Sequence, residues 1–312
     1  MSTLIVKLPN WLGDILFSMD LLYSLGLRFT KLGLVTSDQH APLFEIFKIP
    51  NAEVIQYKSE SWPYLERESI LNISKFQADY GLVLPNSFGS ALLFKYAGVR
   101  NLYGYGTENR GILLKQSLPT PEHTLHQTEY YLNLLKLFNI TPVHYPLTRR
   151  TQRERSVIIH PGTSKKERAW HMERFFNVAE HFQKKGWDVK IISGEPLIHS
   201  DIPVLVKPTL KEFADMLMQC SLFIGNDSGP LHLAQQCGAA VVGIYGPGNP
   251  LVTGPRRISP AKVVYHNFPC SPCRQKFFHE CDPSPAHKPY CIETISSAEV
   301  IYTAEQLLGA NN

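Results

Sequence analysis

Five short stretches of this chain carry side chains whose types and spacing suit chemistry as well as packing. The first is Pro9-Asn10-Trp11-Leu12-Gly13-Asp14, which lies between a β-branched run at Leu4-Ile5-Val6 and a helical pattern. Gly13 lets a backbone or ligand approach closely. Asp14 stands near a helix start, where unpaired amides and the helix dipole stabilise a carboxylate. It reads either as a helix cap or as a carboxylate able to take a proton from a substrate hydroxyl. The second stretch, Gly225-Asn226-Asp227-Ser228-Gly229-Pro230-Leu231-His232, opens a helix directly from a strand end. Two glycines, small polar side chains and free helix amides suit a diphosphate, and His232 adds a donor from the first turn. The alternative is a plain capped turn, with Asp227 or Ser228 as the cap. The dinucleotide fingerprint G-x-G-x-x-G is absent there, which disfavours a nicotinamide-dependent dehydrogenase.

The third stretch is His160-Pro161-Gly162-Thr163-Ser164-Lys165-Lys166-Glu167-Arg168-Ala169-Trp170. A glycine beside two hydroxyls and three cations suits a departing diphosphate, on which negative charge develops as its bond breaks. Read alone, each lysine also fits an exposed basic loop. In the fourth stretch, Ser193-Gly194-Glu195-Pro196, a carboxylate just past a strand suits a ribose hydroxyl pair. The fifth is a cysteine set, Cys270, Cys273, Cys281 and Cys291, spaced C-x2-C-x7-C-x9-C, with His279 and His287 close by. Cys270 and Cys273 suit a shared structural zinc, whereas reduced thiols are the other reading. The spacing is not that of a standard zinc ribbon.

The elements that must hold these stretches alternate in type. Strand patterns at Leu4-Ile5-Val6, 32–35, 54–56 and 82–84 interleave with helical spacing over 14–25, 90–96 (closed by Gly98) and 129–138. A polar, proline-containing stretch from Pro142 to Arg155 reads as a linker, with Thr148-Arg149-Arg150-Thr151-Gln152-Arg153 inside it. The cycle then restarts. Strands are expected at 156–159, 189–192, 222–224 and 239–245, and helices at 173–184 (stopping at Gly186), 210–220, 231–236 (closed by Gly238) and 297–308. Such alternation implies two doubly wound α/β domains, 1–150 and 151–312. Ligands of such sheets bind beyond the carboxyl ends of the strands, so a cleft between the domains is the expected site.

The 312 residues are 44% hydrophobic and 19% charged, enough apolar material to exclude global disorder. A net charge of +4 is too mild for a polycationic nucleic-acid binder. A nucleic-acid module built on the cysteines is disfavoured too, because that segment has few basic residues. No run approaches the roughly 18–20 apolar residues of a membrane span, and the first strand lacks the pattern of a signal peptide. The expectation is a soluble cytoplasmic protein that can still touch a membrane surface.

Several of these stretches, taken in order, resemble a known family. They are Asn10-Trp11-Leu12-Gly13-Asp14, Leu84-Pro85-Asn86-Ser87-Phe88-Gly89-Ser90-Ala91, Gly104-Tyr105, His160-Pro161-Gly162, Gly225 through Ala234, Tyr245-Gly246-Pro247 and Cys270-Ser271-Pro272-Cys273. Together they look like glycosyltransferase family 9, the ADP-heptose:lipopolysaccharide heptosyltransferases, with N-W-L-G-D and P-N-S-x-x-S-A most similar to the heptosyltransferase II branch. The resemblance implies a GT-B fold: two Rossmann-like domains facing a cleft, with the C-terminal helix crossing back to the first. It implies an inverting transfer of heptose from an ADP-sugar to the lipopolysaccharide inner core, with Asp14 as general base and no metal required. The donor would meet Thr163, Ser164, Lys166, Arg168, Glu195, Asp227, Ser228, Gly229 and His232. Arg168 stands where the family commonly has a lysine. The anionic core and its lipid A anchor would meet Asn10, Trp11, Asn86, Ser87, Ser90, Lys95, Arg100 and Arg110, at the cytoplasmic face of the inner membrane, with no nucleic-acid partner. A related enzyme with another nucleotide-sugar, and a non-catalytic sugar-nucleotide-binding scaffold in envelope assembly, are the alternatives.

Overall fold

A computed structural model of the chain describes residues 2–58, 67–122, 124–147, 154–197, 201–256, 258–273, 275–279 and 281–310. Thr148 to Arg153, the centre of the expected linker, lies outside these. The chain divides into two compact units, Met1–Pro146 and Leu147–Asn312.

In the first unit the elements are β1 (Thr3–Lys7), α1 (Leu12–Phe17), α2 (Met19–Arg28), β2 (Lys31–Thr36), α3 (Leu43–Ile46), β3 (Ala52–Gln56), α4 (Arg67–Lys75), β4 (Tyr80–Val83), α5 (Phe88–Tyr96), β5 (Asn101–Tyr105), β6 (Gln116–Leu118) and α6 (Gln127–Leu132). Their strands form one parallel sheet in the order β3-β2-β1-β4-β5-β6. The apolar runs of β1, β2 and β4 are buried on both faces, as a sheet flanked by helices requires. Ile5, Val35, Val83, Phe94 and Leu102 lie in one of its cores.

The second unit repeats the plan with β7 (Glu154–His160), α7 (Met172–Lys184), β8 (Asp188–Ser193), β9 (Val204–Val206), α8 (Leu210–Gln219), β10 (Cys220–Asn226), α9 (Gly229–Gln236), β11 (Ala240–Tyr245), α10 (Pro250–Thr253), β12 (Ala261–Tyr265), α11 (Tyr290–Glu293) and α12 (Ser297–Gly309). Its sheet is also parallel, in the order β12-β11-β10-β7-β8-β9. Gly186 (φ 77°) and Gly238 (φ 79°) follow α7 and α9 in the left-handed region, which glycine enters without a Cβ clash. The C-terminal helix α12 has a capping box from Ser296 and Glu299. It buries Val300, Ala304 and Leu307 in the second unit's core, against α7, β11 and β12.

Local structure departs from the periodicity in three ways. The helical pattern over 14–25 is interrupted at Ser18, whose hydroxyl donates to the Ile15 carbonyl at 2.7 Å and separates α1 from α2. The pattern over 129–138 begins as α6 but tightens into a 3₁₀ helix over Asn133–Phe138. The helix expected over 210–220 stops at Gln219, because Cys220 has extended backbone and opens β10. Among the described residues, no helix is long and apolar enough to cross a membrane.

Candidate active site

Each sheet reverses its strand order once. The first unit lays β2 and β3 on one side of β1, then crosses to β4, β5 and β6 on the other. The second lays β8 and β9 beside β7, then crosses to β10, β11 and β12. Loops leaving adjacent strands at such a reversal diverge and leave a crevice at the carboxyl edge. The reversal in the first unit falls between β1 and β4, whose outgoing loops carry Asn10 to Asp14 and Asn86 to Ser90. In the second it falls between β7 and β10, whose outgoing loops carry His160 to Arg168 and Asp227 to Gly229.

In the first unit, Asp14 sits in the first turn of α1, but Trp11 holds the cap position and no side chain caps the helix. The cap reading of Asp14 therefore gives way. Its Oδ1 instead accepts a bond from the Tyr131 hydroxyl at 3.4 Å. Burial pushes the Asp14 carboxyl above its ordinary value, and the Tyr131 bond opposes that shift. Trp11 is 69% exposed. Asn10 is exposed, and its Oδ1 accepts from Lys7 Nζ at 3.3 Å. Lys7 is buried at the end of β1, where it also donates to the Leu8 carbonyl at 3.0 Å and stands over the Tyr57 ring. Burial brings its ammonium down to about 7.

At the end of β4, Asn86 is exposed and Ser87 bonds Ser90 hydroxyl to hydroxyl at 2.7 Å. The Tyr130 hydroxyl donates to Asn86 Oδ1 at 3.0 Å, and Thr107 Oγ1 to its carbonyl at 2.7 Å. Two of the expected acceptor residues are engaged within the first unit. Lys95 lies in the last turn of α5 and donates to the Arg100 carbonyl at 2.9 Å. A right-handed crossover returns α5 toward the amino ends of the strands, so Lys95, in its last turn, lies at the end of the helix away from the Asn86 turn. Arg110 is fully buried. Its guanidinium donates to the carbonyls of Pro85, Tyr105 (2.7 Å) and Ser87 (3.5 Å), so it holds the strand ends together and presents no charge at the surface.

In the second unit, Asn226 is wholly buried at the end of β10 and clamps the neighbouring loop. Its amide donates to the Pro161 carbonyl at 2.6 Å and its Oδ1 accepts from Trp170 N at 3.0 Å. Arg168 pairs with the Asp227 carboxylate and donates to the Asp227 carbonyl at 2.8 Å. Thr253 Oγ1 donates to the other carboxylate oxygen at 3.3 Å. Both oxygens of Asp227 are thus engaged, one by Arg168 and the other by Thr253. Burial raises the Asp227 carboxyl, and the Arg168 charge opposes it. Ser228 holds the cap position of α9 without capping it and donates to the Asn226 carbonyl at 3.2 Å. That leaves the first amides of α9 without a side-chain cap, and His232 is buried in its first turn. Ser164 and Lys166 are exposed on the loop, and Glu195 is exposed just past β8, one strand from the reversal. At the end of β7 and in the loop after it, three buried polar atoms have no hydrogen-bond partner among the described residues: His160 Nδ1, Thr163 Oγ1 and Arg168 Nε. Burial lowers the His160 imidazole to about 4, so it is neutral near neutral pH.

The four cysteines of 270–291 are free thiols lining one cavity of about 260 Å³ with Phe268, Phe277 and Tyr290. Burial pushes the Cys291 thiol up to about 12, and the other three thiols add to the shift. Among the described residues, no group of three or more His, Cys, Asp or Glu is arranged to hold a metal ion. The segment also braces the loops that follow β7 and β11. Lys288 Nζ donates to the Ala169 carbonyl at 2.8 Å and the Lys166 carbonyl at 3.3 Å, and Ser271 Oγ to the Gly246 carbonyl at 2.7 Å.

Comparison with known proteins agrees with this geometry. The profile of glycosyltransferase family 9 (heptosyltransferase) matches residues 70–280. The chain belongs to this family. It is a glycosyltransferase, and its two doubly wound units are those of the family's GT-B fold. Lipooligosaccharide heptosyltransferase 2 of Campylobacter jejuni serotype O:2 is 24% identical, over 97% of each chain. The structure of E. coli ADP-heptose lps heptosyltransferase II superposes with a TM-score of 0.80 at 19% identity, covering 100% of this chain and 99% of that one. A family 9 glycosyl transferase from Veillonella parvula gives 0.79 at 20% identity, covering 98% and 97%. Lys7, Tyr130, Tyr131, Asn226 and Lys288 were not singled out by sequence reasoning. Asn226 lay inside a recognised motif; Tyr130, Tyr131 and Lys288 are held by partners far along the chain.

Proposed function

We propose that this glycosyltransferase moves a heptose from ADP-L-glycero-D-manno-heptose to a hydroxyl of the lipopolysaccharide inner core, with inversion and with Asp14 as general base. The observation that carries the donor half is the set of buried atoms without a partner among the described residues, His160 Nδ1, Thr163 Oγ1 and Arg168 Nε, at the end of β7 and in the loop after it, beside the uncapped start of α9. Native interiors pair most such atoms, so three exceptions beside a strand-order reversal support a polar ligand there. A diphosphate suits it, because it accepts from a hydroxyl, a guanidinium and helix amides together. The names of the relatives support ADP-heptose and the lipopolysaccharide core as substrates.

In this reading Asp14 takes the proton of the acceptor hydroxyl as its oxygen attacks the anomeric carbon. The bond from that carbon to the diphosphate oxygen breaks, and the electron pair leaves with ADP. The negative charge on the departing diphosphate is met by the amides of Ser228 and Gly229, by His232 and by Arg168, held in aim by Asp227. The upward shift of Asp14 suits a base that must become a carboxylic acid during transfer. Asn10, Trp11, Asn86, Ser87 and Ser90 are the residues we assign to the acceptor. Trp11 suits the edge of a membrane-anchored acceptor, since an exposed indole partitions to lipid interfaces, and we assign the enzyme a peripheral position on the cytoplasmic face of the inner membrane. The transfer needs no metal cofactor in this scheme, because the cations and helix amides stabilise the leaving group.

The test is a donor panel. ADP-heptose, ADP-glucose, UDP-glucose, UDP-N-acetylglucosamine and GDP-mannose are each supplied with a heptose-deficient core, and nucleoside diphosphate release is followed with and without EDTA. Acceptor-dependent release from ADP-heptose alone, unchanged by EDTA, is expected. Release from another donor would replace the sugar, and binding without release from any donor would replace the enzyme by a scaffold.

A further inference from the structure

We propose that Tyr131 is the positioning residue of Asp14: its hydroxyl holds one carboxylate oxygen and leaves the other to face the acceptor. The inference rests on the reading of Asp14 as general base. Tyr131 is 4% exposed on α6, a helix that packs against α1 and α2. The start of α6 is fixed by His126, whose Nδ1 accepts from Thr128 N at 3.2 Å. The Tyr131 hydroxyl donates to Asp14 Oδ1 at 3.4 Å and is itself hydrogen-bonded by the Gln127 side chain, one turn earlier. Burial and the nearby Asp14 charge hold the phenol far above its ordinary value, so it remains a proton donor through the working pH range. The phenol therefore gives its one proton to the carboxylate, and the Gln127 amide fixes the direction of that bond.

The other ionisable side chains on the elements packed against α1 are engaged elsewhere or turned away. On α6, Tyr130 donates to Asn86 Oδ1 at 3.0 Å, and Glu129 lies in the first turn. On α2, Asp20 takes His144 at 2.8 Å and Tyr145 N at 2.9 Å, while Tyr23 meets the Tyr145 ring edge-on and Arg28 lies in the last turn. The His126 ring lies edge-on to Phe17 of α1. Apart from burial, Tyr131 is the group that acts on the Asp14 carboxyl. A bond to the ionised form favours it, so removing the phenol hydroxyl raises the Asp14 value. A base works when deprotonated. Activity is lost as pH falls through its value, and the acid limb of the rate profile then moves to higher pH.

The experiment measures ADP release from ADP-heptose with a heptose-deficient core between pH 5 and 9, using the full chain and the variants Tyr131→Phe, Tyr130→Phe, Gln127→Leu and Asp14→Asn. Tyr131→Phe is expected to move the acid limb up by about one pH unit, a tenfold change in proton affinity, and to lower kcat with the donor KM unchanged. Gln127→Leu moves the limb in the same direction by less, and keeps the test available if Tyr131→Phe folds poorly. Tyr130→Phe raises the acceptor KM and leaves the limb where it is. An unmoved limb in both Tyr131→Phe and Gln127→Leu, with Asp14→Asn inactive, overturns the role of Tyr131 alone. Turnover retained by Asp14→Asn overturns the base assignment and this inference with it.

Discussion

Replacing Arg110 by methionine isolates what a buried cation does beneath the Asn86-Ser87 turn. The side chain is fully buried and donates to Tyr105 O at 2.7 Å and to the Pro85 carbonyl, with a longer bond of 3.5 Å to Ser87 O. Methionine matches its length but donates nothing, so two carbonyls lose their donor. Each buried acceptor left unpaired costs about 1–3 kcal/mol, and the 3.5 Å contact adds little. Relief of the cation's own desolvation offsets part of this, leaving a net loss of about 2–4 kcal/mol. For a unit of this size that lowers the unfolding temperature by roughly 5–15 °C. Burial already lowers the Arg110 value, so a lysine there would shed its proton more readily and, with a single point donor, would not span both carbonyls. Arg110→Lys is therefore expected to fall between the two. Differential scanning calorimetry of the full chain, with and without ADP, reads the loss, and initial rates read its consequence. The acceptor KM rises because the Asn86-Ser87 turn is loosened, while the ADP affinity of the second unit is unchanged. An Arg110→Met protein that melts within about 1 °C of the parent with its acceptor KM intact would refute the reasoning.

Two further outcomes follow from buried polar groups. Thr163→Val removes a hydroxyl that has no partner among the described residues, so thermal stability should hold or rise while ADP binds about 5–10-fold more weakly by calorimetry; unchanged ADP affinity would exclude that hydroxyl from the donor site. Lys7 is held at about 7 by burial, against 10.5 in an open chain, so the unfolded chain binds this proton more tightly. Stability from this group therefore rises as pH is raised from about 7 toward 10.5, and urea midpoints of the parent should gain on those of Lys7→Met between pH 7 and pH 9. A constant gap between the two proteins would mean Lys7 does not titrate in that window.

The sequence by itself determined the α/β alternation, the restart of the cycle beyond Pro142, and the loops that leave β1, β4, β7 and β10. These are local properties. Apolar runs of strand length, helix spacing and glycine after α7 and α9 each report on a few neighbouring residues. The strands β5, β6, β9 and β12 escaped it; β6 and β9 have three residues each, too few to carry a pattern. The motifs at the loops were legible because a ligand needs particular residue types where the backbone approaches it. Tertiary structure decided what each side chain does with its charge. Arg110 and Lys95 both read as cations for an anionic acceptor, yet one is enclosed by carbonyls and the other points along α5 to Arg100. Asp227 read as a diphosphate contact, and its carboxylate is committed to Arg168 and Thr253. Tyr131 meets Asp14 from 117 positions along the chain. Burial and long-range hydrogen bonds depend on which elements the sheet order brings side by side, and no local window of sequence contains that information.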